Sequence, residues 1–134
     1  MEYGKPEPVD HVVRTIFFVA GIHGLIVIPP FYFLEAHVGN NYPPLVTHPE
    51  YYYGFLGVAT AWQVALLIIG REPRRLRPLM LPAALARFSY GIAMVVLFHQ
   101  GRTVSEVATI GWIDIIFGVL FLFAFRRTRA PSSA

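Results

Sequence analysis

Leu79–Phe98 reads LMLPAALARFSYGIAMVVLF, and Arg87 is the single charged side chain in those 20 residues. At 1.5 Å of rise per helical residue the stretch covers roughly 30 Å, the thickness of a bilayer's hydrocarbon core. A charge near the middle of such a run is costly in lipid and is retained only where something compensates it. Three more stretches have the same apolar character: Thr15–Leu34, Tyr53–Gly70 and Val107–Phe125, of 20, 18 and 19 residues. The sequence therefore predicts an all-α, single integral membrane domain over residues 1–134. Its form is a four-transmembrane-helix bundle, up-down-up-down, with helices near 12–34, 53–70, 79–99 and 107–126.

Composition agrees, since 55% of the residues are hydrophobic and only 14% charged, too apolar for a soluble domain of this size. The net charge of +3 does not point to nucleic acid, because the basic residues are sorted by side. Lys5 and Arg14 precede the first span, Arg71, Arg74, Arg75 and Arg77 share the loop between the second and third, and Arg126, Arg127 and Arg129 follow the fourth. Those nine face one side, Arg102 faces the other, and the eleventh, Arg87, lies within a span. The positive-inside rule then places both termini and the 71–78 loop in the cytoplasm. The basic loop also suits anionic headgroups, although topology alone accounts for it. Cysteine is absent, which excludes thiol redox chemistry, iron–sulfur clusters and disulfides. The first span reads as retained: Glu2, Glu7 and Asp10 precede it, and it ends in Pro29-Pro30-Phe31-Tyr32-Phe33, not at a small-residue cleavage site.

Small residues mark the faces on which the helices should meet. They are Ala20 and Gly24, then Gly54, Gly57, Ala61 and Ala65, then Ala83 and Gly91, and last Gly111 and Gly118. In lipid, helices associate through close backbone approach, which such residues permit. Pro29-Pro30 predicts a kink or early unwinding, and Pro78 suits a first helical turn. Tyr32, Tyr51, Tyr52 and Tyr53 read as an outer aromatic belt. The connection 35–52, with Asn40-Asn41, Pro43-Pro44 and Pro49, reads as an ordered turn in preference to a helix.

Each span carries one strongly polar residue. Counted from the basic ends, His23 and Arg87 lie at about 13 Å, Gln63 at about 11 Å and Asp114 at about 17 Å, nearly one depth. Arg87 is flanked by Ala83 and Gly91, and Asp114 by Gly111 and Gly118, so both charges lie on the faces expected to meet a neighbour. The last two spans are joined by a short loop, and an Arg87–Asp114 ion pair is the natural inference. The layer His23, Gln63, Arg87 and Asp114 admits two uses: fixing helix register, or receiving the polar head of a lipophilic molecule, with proton relay between His23 and Asp114 as a variant.

A weaker constellation sits at the outer mouth, where Glu35 and His37 follow the first span and His48 and Glu50 precede the second. Imidazoles and carboxylates can hold a divalent metal, but this spacing matches no established site, and solvated loop polarity is the default account. No cofactor is named by any motif. A bis-histidine haem site would need assembly near the outer face or between subunits, because His23 has no second histidine at its depth. Nucleophile-elbow, phosphate-loop and zinc-protease motifs are absent.

The run His48-Pro49-Glu50-Tyr51-Tyr52-Tyr53-Gly54-Phe55-Leu56-Gly57, followed by Ala61-Trp62-Gln63, Arg71-Glu72-Pro73 and Arg77-Pro78-Leu79-Met80, resembles a group of small four-helix bacterial membrane proteins without assigned function. The architecture is also similar to the DoxX-like class. This resemblance implies a bundle in the bacterial inner membrane and transfers no catalytic residues. A looser likeness to four-helix sterol isomerases and the sigma-two receptor rests on architecture and buried polar residues alone. The functions that stay open are binding or passage of a small lipophilic molecule, service as an accessory structural subunit of a larger membrane complex, and a lipid-isomerase type of enzyme. The lipid bilayer is the one partner the residues require. A homodimer and a larger complex both remain compatible.

Overall fold

In a computed structural model the described residues are 8–129, with the side chains of 8–10 left undescribed. They form α1 (Pro8–Val27), a 3-10 turn (Pro29–Phe33), α2 (Glu35–Asn41), α3 (Pro49–Arg71), a second 3-10 turn (Arg77–Leu79), α4 (Met80–His99) and α5 (Ser105–Arg127). Among the described residues there is no strand, and four helical segments of 23 residues each are long and apolar enough to cross a membrane. They pack as an up-down-up-down bundle. Lys5 and both ends of the chain, whose side of the membrane the basic residues predict, lie outside the described residues.

Each helix end has a local cause. Pro29 and Pro30 bring no N–H, so the carbonyls of Leu25 and Ile26 lose their i+4 donors and α1 gives way to a 3-10 turn. α3 starts four residues before the expected Tyr53 because Pro49 stands in its first turn, with Glu50 beside it on the favourable side of the helix dipole. The connection 35–52 also corrects the expectation of a turn without helix. Glu35–Asn41 closes two helical turns, Asn41 donating to the His37 carbonyl at 2.8 Å. α4 ends at His99 and is closed by Gly101, whose φ of +68° a side chain would strain. There Arg102 N–H reaches the Leu97 carbonyl at 2.9 Å and Gly101 N–H that of Phe98 at 2.9 Å, a Schellman closure that turns the chain directly into α5.

The bundle consists of two antiparallel pairs. α4 and α5 touch along their length: a Cβ on Gly91 would stand 2.5 Å from the Gly111 carbonyl oxygen, so the two backbones meet where only glycine fits. α1 and α3 meet at their basic ends, where Gly70 lies against Phe17 and Phe18, and Gly21 against Leu67. The pairs join through stacked Phe17 and Phe121, with ring centroids 4.5 Å apart. A fully buried core of Val13, Phe17, Ala20, Leu66, Ile69, Met80, Ala83, Phe121 and Ala124 fills the basic half.

Candidate functional site

The polar layer lies immediately beyond that core. Arg87 extends from α4 between the two pairs, where α3 and α4 face each other through long side chains. One guanidinium nitrogen donates to Asp114 Oδ1 of α5 at 2.5 Å, and the other donates to Gln63 Oε1 of α3 at 2.8 Å. Gln63 uses its amide N–H on the Ala59 carbonyl at 3.0 Å. Gln63, Arg87 and Asp114 are 3%, 8% and 8% exposed, so the ion pair is removed from lipid and water together. The expected pair thus forms, and Gln63 makes it a three-helix tie. Gly24 of α1 provides the room for this, because a Cβ there would overlap the Gln63 amide.

His23 shares the depth but not the bonding. Its ring lies 5.9 Å from that of Phe117, and the Arg87 guanidinium lies 5.4 Å from the same ring. His23 and Asp114 are within electrostatic range, yet among the described residues no hydrogen bond links them, and the buried His23 Nδ1 has no partner. A buried nitrogen of this kind is uncommon in a satisfied interior. The described cavities lie at the two ends of the bundle and are not lined by this layer.

At the end of the bundle opposite the arginine-rich loop the four sequence candidates do not converge. Glu35 accepts the Tyr53 hydroxyl at 2.7 Å, His37 Nδ1 lies 3.1 Å from the Asn41 amide, and His48 Nδ1 lies 3.0 Å from Glu50 on the exposed surface. Among the described residues no three histidines or carboxylates are grouped as a metal would require. Tyr53 and Glu35 instead wall an apolar cleft of about 480 Å³ with Tyr32, Phe33, Ala36, Gly39, Leu45 and Val46.

Two arrangements went unread in the sequence. Tyr52 is more than a belt residue, since its hydroxyl donates to the Phe31 carbonyl at 2.7 Å and fastens the proline-broken end of α1 to α3. The Phe31 carbonyl lies in the 3-10 turn that the prolines start, where it also accepts the Leu34 N–H at 3.1 Å, and nothing in the order of residues ties it to a tyrosine 21 positions on. Arg77, counted only for topology, donates Nε to the Phe125 carbonyl at 2.9 Å and lies 3.6 Å over its ring. A cation at the carbonyl end of a helix is favourable, and Arg77 closes the last turns of α5 in this way.

No protein-family model, curated protein or solved structure matches this chain.

Proposed function

We propose that this multi-pass membrane protein binds a small lipophilic molecule whose polar head docks at the midplane layer, beside His23. The supporting observation is the buried His23 Nδ1 without a partner, next to a network whose other members are satisfied. Arg87 and Asp114 offset each other's charge, so the layer favours a neutral head, a hydroxyl or carbonyl, over an ion. We place the bundle in a bacterial inner membrane, with both termini and the 71–77 loop in the cytoplasm. The sorting of basic residues and the family resemblance support that reading.

The test uses protein purified in mild detergent, extracted with organic solvent and analysed by mass spectrometry. A lipophile retained by the wild type and lost in His23→Leu, at unchanged thermal stability, is the expected result. Equal retention by both would remove His23 from the site. For topology, single cysteines at Asn40 and at Ser133 (the latter outside the described residues) should label from opposite sides with an impermeant reagent.

A second reading, an accessory subunit whose polar layer only ties helices, gains support from Arg87, both of whose terminal nitrogens are used inside the protein. Under that reading the extract holds no specific lipophile, and His23→Leu is neutral or mildly stabilising, because a buried nitrogen without a partner is removed.

A further inference from the structure

At the basic end a groove of about 750 Å³ runs between the start of α4 and the end of α5, lined by Arg77, Leu81, Leu122, Phe125, Arg126 and Arg129. On α5 the residues Leu122, Phe125 and Arg126 are spaced i, i+3 and i+4, which sets them on one face, and Arg129 follows just past the helix end. Leu81 lies one turn into α4 from Arg77, just as Leu122 lies one turn deeper than Arg126. Both walls therefore carry an arginine outside and a leucine inside, with Leu81 45% and Leu122 38% exposed. Among the described residues the ion pair at this end joins Arg75 to Glu72, and no carboxylate pairs with Arg77, Arg126 or Arg129. Arg77 is held in place by its bond and ring contact to Phe125, so its fork faces the groove preorganised.

We infer that this groove binds an anionic phospholipid. Its phosphate would be gripped by the guanidinium groups of Arg126 and Arg129 with Arg77, and an acyl chain would lie along Leu81 and Leu122. Arginine forks match phosphate oxygens in pairs, and three cations above an apolar wall complement an anion with a hydrocarbon tail better than a free anion or a neutral lipid. This inference is independent of the midplane reading.

Native mass spectrometry of the full chain, titrated with dioleoylphosphatidylglycerol or dioleoylphosphatidylcholine, tests it. Phosphatidylglycerol should bind and phosphatidylcholine should bind far more weakly. Each arginine near a membrane surface contributes roughly five-fold in affinity, so Arg126→Gln with Arg129→Gln should weaken phosphatidylglycerol binding about 30-fold. The pair Arg71→Gln with Arg102→Gln removes the same charge elsewhere and should leave that affinity nearly unchanged. An equal loss in this control would mean diffuse attraction and overturn the groove. Equal binding of the two lipids would overturn it as well. A rise in thermal midpoint with inorganic phosphate matching that with phosphatidylglycerol would assign the arginines to free phosphate and overturn the lipid.

Discussion

The two helix pairs reach their packing in opposite ways. α4 and α5 are joined by a connection of a few residues that Gly101 closes, and their backbones touch at Gly91 and Gly111. α1 and α3 are separated by a long linker and meet near Phe17 and Gly70 and again where Gly21 and Gly24 face Gln63, before the proline pair ends α1. Beyond that point hydroxyls hold the pair: Tyr52 on the Phe31 carbonyl and Tyr53 on Glu35. A short connection with facing glycines makes a pair that is tight throughout. A long connection with prolines makes one whose helix-on-helix packing stops with α1 and is continued by side-chain hydrogen bonds. The Arg87 tie joins the two kinds of pair at the depth where Gly24 of α1 packs against Gln63 of α3.

The largest test of this contrast removes the charges at the tie. Arg87→Leu or Asp114→Leu alone leaves the other charge buried and unpaired, which costs about 3–5 kcal/mol. The double variant should lose clearly less than the sum, because no orphan charge remains. Unfolding in detergent micelles measures all four corners of the cycle. Additive losses would show that the bond contributes nothing of its own.

How far the bundle was legible follows from what periodicity and composition encode. Span positions came from apolar length, and the Arg87–Asp114 pair came from depth, sign and the small residues on either side. Gln63 was placed in the layer by depth alone. That it bonds Arg87 depends on the space at Gly24, a property of two helices from distant parts of the chain. The linker reads as a turn because asparagine and proline content describes turns well, while a two-turn helix between two turns leaves almost no periodic trace. Arg77 was hidden for another reason: its role is to close a helix end that lies 48 residues away in sequence.

The tie between the pairs is next in size. Gly24→Ala should push the Gln63 amide off Arg87, and Gln63→Leu should delete the same bond. Hydrogen bonds to charged groups contribute about 1.5–3 kcal/mol, so each variant should lose up to that amount. Because both act on one interaction, the double variant should lose little more than Gln63→Leu alone. Full additivity in the unfolding midpoint would mean that Gly24 serves backbone packing and not the amide.

Within the tight pair, Gly91→Ala should cost about 1–3 kcal/mol, the usual range for overpacking. The atoms in its way are the Gly111 carbonyl oxygen and the Ile115 backbone nitrogen and side chain, and backbone cannot swing aside as a side-chain tip can. A stability equal to wild type would show that α4 and α5 can part without penalty, and the contrast between the pairs would fail.

The smallest effect should have the opposite sign. Gly54 lies in the second turn of α3, is exposed, and a Cβ built on it meets nothing within 4 Å. With no neighbour to displace, Gly54→Ala changes only the chain's own preferences. Alanine restricts the unfolded backbone and favours helix over glycine by about 0.5–1 kcal/mol. In the same micelles Gly54→Ala should therefore raise the unfolding midpoint slightly while Gly91→Ala lowers it. The sign is diagnostic because both substitutions add one methyl group to one transmembrane helix each, and helix propensity favours both equally. Only the neighbouring backbone separates them. A loss at Gly54 would mean that another surface covers this face in solution, and a second copy of the chain would then be visible as a concentration-dependent midpoint that Gly54→Ala abolishes.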